Sequence, residues 1–322
     1  MTGARAGTGE PRPRDEAGRA VAADLIAVLV AVTGGAPRVM TVRGGTGLPS
    51  GPFEHRHRSL QFGLRAWVEE QTGLPLGYVE QLYTFADRDR TTGDDELRVI
   101  SISYLGLARE EAGAGAGADG WRDWYDYFPW EDHRAGAPAL IAEAIAPALD
   151  AWAKDAGRAG RAERARRAAL AFGRDGDGWN EEWALQRYEL LYEAGLVAEA
   201  ARDGRPAAGP LVPGRAMESD HRRILATGIA RLRAKIKYRP VVFELMPPAF
   251  TLLQLQRSVE ALAGRGVHKQ NFRRLMEQQD LVEETGATAT DTGGRPAKLF
   301  RFRHAVLAER AVAGTKLPLA RG

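Results

Sequence analysis

Five side chains near the C-terminus, Lys269, Gln270, Asn271, Arg273 and Arg274, have the chemistry of a nucleic-acid reader. Arg, Asn and Gln are the side chains that make bidentate contacts with guanine and adenine edges, while Lys and Arg neutralise phosphate. The surrounding pattern places them at the start of a helix. A helix N-terminus carries partial positive charge and unpaired N–H groups, so cations there disfavour the isolated helix and suit an anionic ligand. Further on, GGRPAKLFRF supplies Gly294, Arg295 and Lys298, a second set of backbone N–H groups and cations for phosphate. The plain alternative is that Asn271 only caps the helix and the arginines are solvated. Five such residues at one helix start favour contact with DNA.

The elements that must position these residues run from Pro247 to Arg303 as helix, turn, basic helix and two-stranded wing. Thr251 is placed to N-cap a helix with Leu252, Leu255, Val259 and Leu262 on its apolar side and Gln254, Gln256 and Arg257 outside. Gly264 and Gly266 break it. The second helix starts at about Val267, with Phe272, Leu275 and Met276 expected to face inward. Lys298, Arg301 and Arg303 alternate with Leu299, Phe300 and Phe302, as in a half-buried strand that extends the phosphate track. Upstream, DHRRILATGIARLRAKIK at 220–237 is an amphipathic helix with Ile224, Leu225, Ile229, Leu232 and Ile236 on one side.

A second chemistry is hinted at by LPSGPFEHRHRSLQFGLRAWVEEQTGL, residues 48–74. This stretch resembles the Nudix box, a Gly-containing loop followed by a helix ending in a Glu pair and Thr-Gly-Leu. In active members the resemblance implies carboxylates on one helix face holding Mg²⁺ against a pyrophosphate. With Arg65 matched to the box arginine, the three metal positions fall on Ala66, Glu69 and Glu70; with Gly73 matched, they fall on Trp67, Glu70 and Gln71. Either register lacks a carboxylate. The loop glutamate is also replaced, by His57 or Arg58. A hard dication needs oxygen ligands to offset its dehydration, so no metal site, no catalytic residue and no cofactor is expected, Mg²⁺ included. A ligand pocket is expected instead from Glu69, Glu70, Phe85 and the loop after it, and Arg98, with Arg38 or Arg43 near phosphates, because a guanidinium fork matches phosphate oxygens.

Composition bounds the rest. The 322-residue chain is 44% hydrophobic and supports more than one core; its net charge of +3 is too small to establish nucleic-acid binding by itself. It has no cysteine, which excludes disulfides and Cys-based zinc sites. The apolar run LIAVLVAVTGG is too short for a bilayer and reads as a buried strand, followed by a turn at 34–37 and a second strand. GWRDWYDYFPWEDHR at 120–134 is dense in aromatics, which usually cover a core or an inter-domain seam. Residues 138–202 are Ala-rich and helical, and the arginines at 158–167 read as a solvated helix face.

FTLLQLQ, NFRR and GGRPAKLFRF, with YVEQLYTFADRDR and RVISISYL upstream, resemble the Nudix-related transcriptional regulators of NAD metabolism. The resemblance implies an α+β chain: a Nudix-like α/β/α sandwich with a mixed sheet, a helical insertion and a C-terminal winged helix-turn-helix. The divisions expected are a tail at 1–19, the effector-sensing domain at 20–134, the insertion at 135–218, a connecting helix at 219–238, the winged helix at 239–304 and a tail at 305–322. It further implies a cytoplasmic homodimeric repressor of NAD biosynthesis or salvage genes. Such a protein binds a palindromic double-stranded operator and is released by ADP-ribose or a related nucleotide, with no membrane partner. The resemblance places Lys269, Gln270, Asn271, Arg273 and Arg274 on the recognition helix and Gly294 and Arg295 on the wing. The alternative from a different class is a Nudix hydrolase cleaving ADP-ribose or another nucleoside diphosphate derivative.

Overall fold

The computed structural model describes residues 21–77, 79–86, 98–110, 120–174, 176, 178–238, 241–278, 280–289 and 296–303. The tails at 1–19 and 305–322, and with them those two divisions, lie outside the described residues. The long apolar run forms strand β1 (Val21–Thr33), which turns through Gly34 and Gly35, both at positive φ (61° and 77°), into β2 (Ala36–Thr41). Two successive positive φ angles are what a tight hairpin matching strand twist requires. There follow β3 (Ser50–Pro52), helix α1 (Leu60–Thr72), β4 (Val79–Phe85), β5 (Arg98–Leu107) and β6 (Gly120–Asp123). They make one mixed sheet in the order β4-β5-β1-β2-β6, with β3 also paired to β1; β1 and β5 are parallel and the other pairs antiparallel.

Alternation along β1 assigns the two faces. Leu25, Ala27 and Leu29 pack with Leu64 and Val68 of α1, whereas Ile26, Val28 and Val30 belong to a larger core on the other side. That second side is closed by α6 (His221–Tyr238). Gly228 of α6 sits so close to the sheet that a Cβ there would lie 2.8 Å from Val28 Cγ1, and Lys235 is ion-paired with Glu80 of β4. The expected connecting helix is therefore also the second helical layer of the α/β/α sandwich. Between β6 and α6 the chain builds α2 (Ala146–Asp155), α3 (Gly157–Ala171), α4 (Ala184–Glu193) and α5 (Ala198–Arg202). The aromatics of 120–134 serve as core: Trp124, Tyr127, Phe128 and Trp130 are buried.

The winged helix consists of α7 (Leu252–Ala263), α8 (Lys269–Gln278), β7 (Val282–Ala289) and β8 (Ala297–Phe302). Its junction with the sandwich is built around Arg233, which a buried carboxylate holds in place. Glu131 accepts two hydrogen bonds from Arg187 of α4, at 2.6 Å and 2.9 Å, and is also ion-paired with Arg233 of α6; all three side chains are 0% exposed. Arg233 Nε donates to the Leu262 carbonyl of α7 at 2.9 Å, Tyr125 Oη donates to the Ala261 carbonyl at 2.7 Å, and the His133 N–H donates to the Gly264 carbonyl at 2.7 Å. The carbonyls at the α7 C-terminus, which have no partners within the helix, are thus held by the sandwich.

Candidate nucleic-acid interface

Helix α7 begins at Thr251, whose hydroxyl accepts from the Gln254 N–H while the Gln254 side chain accepts from the Thr251 N–H. This reciprocal capping box fixes where the helix starts. Gly264 ends it in the left-handed region at φ 72°, a conformation glycine adopts without a Cβ penalty. Gln256, expected outside, is instead buried, because its amide donates to Glu260 Oε1 and to the Val267 carbonyl, bracing the turn into α8.

On α8, Phe272 and Met276, one turn apart, are buried against the core. Leu275 was expected beside them and is 45% exposed: the inward stripe of this short helix is only one side chain wide. Lys269, Gln270, Asn271, Arg273 and Arg274 are all exposed, and among the described residues none of the three cations has an ion-pair partner. Unpaired cations concentrated on one exposed helix face set a local positive potential that a phosphate backbone relieves. The wing differs. Lys298 is paired with Glu284 at 2.7 Å and Arg301 with Glu283 at 2.7 Å, so the phosphate track expected along β8 is opposed by carboxylates across the strand pair. Gly294 and Arg295 lie outside the described residues.

In the sandwich, the helix that would carry metal-binding carboxylates is fastened to β3 by neutral side chains. Trp67 Nε1 donates to the Pro52 carbonyl at 2.9 Å, and Gln71 both donates to the Ser50 carbonyl (2.8 Å) and accepts from the Ser50 N–H (3.1 Å). Trp67 lies so close to Gly51 that a Cβ there would stand 2.4 Å from the ring. Glu69 and Glu70 are exposed. His57, standing near the place of the loop glutamate, is buried among Phe53, Phe62 and Trp67, and its Nδ1 accepts from the Glu54 N–H at 3.0 Å. The donor set around the α1–β3 seam is thus amide, indole and imidazole, poor in the oxygen anions that Mg²⁺ takes.

The six positions expected to line a ligand pocket do not all converge. Glu69 and Glu70 belong to α1, and Arg38 sits on β2 across from Asp123, in alternation with Met40, which faces α1. Phe85 packs in the core on the opposite side of the sheet, with the Arg223 guanidinium 5.2 Å from its ring. The cause is a bulge between Gln81 and Tyr83, which reverses the alternation so that Val79 faces α1 while Leu82 and Phe85 face α6. Arg43 lies in the loop after β2 at φ 53° and is ion-paired with Glu218. Arg98 starts β5, and its side chain lies outside the described residues.

Sequence reading missed the Glu131, Arg187 and Arg233 group. Glu131 stands between Trp130 and Asp132 and looks like a solvated acid, and the arginines look like the polar sides of amphipathic helices. The available signal was the density of large aromatics around a single acid, which leaves little room for water.

A Nudix-like sandwich of mixed sheet and flanking helices carrying a winged helix-turn-helix is the class that this architecture defines. The model of the NrtR DNA-binding winged helix domain matches residues 242–302, so the C-terminal domain is of the NrtR type. The ADPR responsive transcriptional repressor NtrR of Acinetobacter baylyi is 42% identical over 83 residues, 26% of this chain. That match spans about a third (33%) of the length of the curated relative. The fold is shared with Shewanella oneidensis NrtR. Its crystal structure with a 27mer DNA superposes with a TM-score of 0.51 at 19% identity, over 88% of this chain and 95% of that one. The structure of Shewanella oneidensis NrtR alone gives 0.51 at 20% identity, over 87% and 94%. Among the described residues no helix is long and apolar enough to cross a membrane.

Proposed function

We propose that the protein is a ligand-responsive transcriptional repressor that binds double-stranded operator DNA through its winged helix. The observation that carries this reading is the exposed, unpaired set Lys269, Arg273 and Arg274, with Gln270 and Asn271, on the second helix of an NrtR-type winged helix domain. In this reading these five residues and the wing residues Gly294 and Arg295 touch DNA, with Lys298 contributing once Glu284 is displaced. The protein acts in the cytoplasm as a homodimer on a palindromic site upstream of NAD biosynthesis or salvage genes. The sandwich binds ADP-ribose or a related nucleotide on the α1 side of the sheet, near Glu69, Glu70 and Arg38, and DNA is released when it does so. Trp67 and Gln71, two of the three metal positions in the register matched on Gly73, offer no carboxylate and bond to β3 instead, which supports sensing rather than turnover.

Fluorescence anisotropy with duplexes selected by the protein from a random pool tests this. The expected result is binding at moderate salt that ADP-ribose reverses; no selected duplex at any salt concentration would overturn it. A phosphate-release assay on ADP-ribose with Mg²⁺ separates the hydrolase reading, which requires turnover at ordinary enzyme rates.

A further inference from the structure

Helix α3, GRAGRAERARRAALA, carries five arginines against one glutamate. Its net positive charge exceeds the +3 of the whole chain, so the rest of the molecule is close to neutral. Arg158, Arg161, Arg164 and Arg167 recur every third residue and so lie next to one another on the helix surface, where like charges repel. The first turn contains Arg158 and no acid, which sets a cation against the positive end of the helix dipole. Both placements disfavour the isolated helix. A row of this kind is relieved by polyanion.

The two ends of the row differ. At its C-terminal end the guanidiniums are already engaged: Arg164 lies 4.3 Å from the Trp152 ring and donates to the Trp152 carbonyl at 2.9 Å, and Arg167 is ion-paired with Glu193. Arg166 pairs with Glu163 at 3.0 Å. At the N-terminal end Arg158 and Arg161 are exposed and have no ion-pair partner among the described residues. The helix also has a definite place relative to the winged helix. Just past its C-terminus, Phe172 packs against Trp179, Trp179 stacks on His133 at 3.8 Å, and His133 holds the Gly264 carbonyl at the end of α7. Arg265, in the turn before α8, pairs with Glu181 at 3.4 Å. From that anchorage α3 extends for about 22 Å, a length set by its residue count and less than one turn of duplex DNA.

We infer that α3 is a second nucleic-acid contact, in which Arg158 and Arg161 engage the phosphate backbone of DNA flanking the stretch read by α8. The contact is assigned to phosphate: apart from arginine, which serves phosphate and guanine alike, no base-reading side chain such as Asn or Gln lies on this helix. The inference rests on the DNA-binding reading above, and it extends the footprint on the duplex.

The test measures the dependence of DNA affinity on salt for the full chain and for Arg158→Gln/Arg161→Gln, Arg158→Lys/Arg161→Lys and Arg273→Ala/Arg274→Ala, on one 60-base-pair duplex. Each lost phosphate contact lowers the slope of log affinity against log salt by about 0.9. The expected result is a fall of nearly two for the glutamine pair and no fall for the lysine pair. Thermal unfolding of the glutamine pair should come no lower than that of the wild type, since both arginines are exposed and their loss relieves like-charge repulsion. An unchanged slope in the glutamine pair overturns the inference. A slope reduced by the glutamine pair but not by the α8 pair keeps α3 as a DNA contact and removes the winged-helix reading. An absence of DNA binding in the wild type at low salt overturns both.

Discussion

Glu131 is a fully buried carboxylate on which two buried arginines, Arg187 and Arg233, converge. Burial alone would push its carboxyl pKa up, but the charges and hydrogen bonds of Arg187 and Arg233 outweigh this and hold it below the usual glutamate range. A lowered folded-state pKa means stability that is fully present above the unfolded value of about 4.3 and is lost as pH falls through the folded value. Asp132 and Glu181, near the same junction, are shifted in the same direction. Acid titration followed by circular dichroism should therefore show the protein losing stability below that pH. Glu131→Gln keeps the shape and leaves two buried guanidiniums without counter-charge. Its expected cost is about 3–5 kcal/mol in chemical denaturation at neutral pH, the scale for breaking a buried ion pair. At the interface, Arg273→Ala should cost about 1–3 kcal/mol of DNA affinity and relax base preference if Arg273 reads a base. Competition between duplexes with single base changes measures this.

At the scale of elements, legibility depended on whether the signal was local. The capping box at Thr251 and the stop at Gly264 are contained in a few consecutive residues, and α7 begins and ends where the sequence indicates. Thr251→Ala should accordingly cost about 1 kcal/mol, read from the unfolding midpoint, by leaving N–H groups at the start of α7 unpaired. The turn through Gly34 and Gly35, and the apolar run of β1, were readable for the same reason. What could not be read was any feature decided by a partner distant in sequence. The reversal of β4 depends on a bulge against β5, so Phe85 was expected beside Glu69 and lies across the sheet from it. The wing cations looked free because their carboxylate partners, Glu283 and Glu284, come from the other strand. The amphipathic pattern of α6 correctly marked a buried side without showing that the sheet would cover it. That Trp67 and Gln71 fasten α1 to β3 was not legible either, because their partners Pro52 and Ser50 come from another element.

For the molecule as a whole, the junction beneath α7 has a calorimetric meaning. Two domains joined by a free linker melt as independent units, whereas domains sharing buried polar groups do not, because separating them strands those groups without partners. Here Tyr125 and Arg233 spend their hydrogen bonds on α7 carbonyls, and Arg233 meets the same carboxylate as Arg187. Differential scanning calorimetry should give one endotherm for the full chain, with the calorimetric and van't Hoff enthalpies equal. A chain ending after α6 should melt at a lower temperature than the intact protein, having lost the carbonyls that satisfied two of its buried donors. Heat therefore would not release a folded sandwich from a molten winged helix.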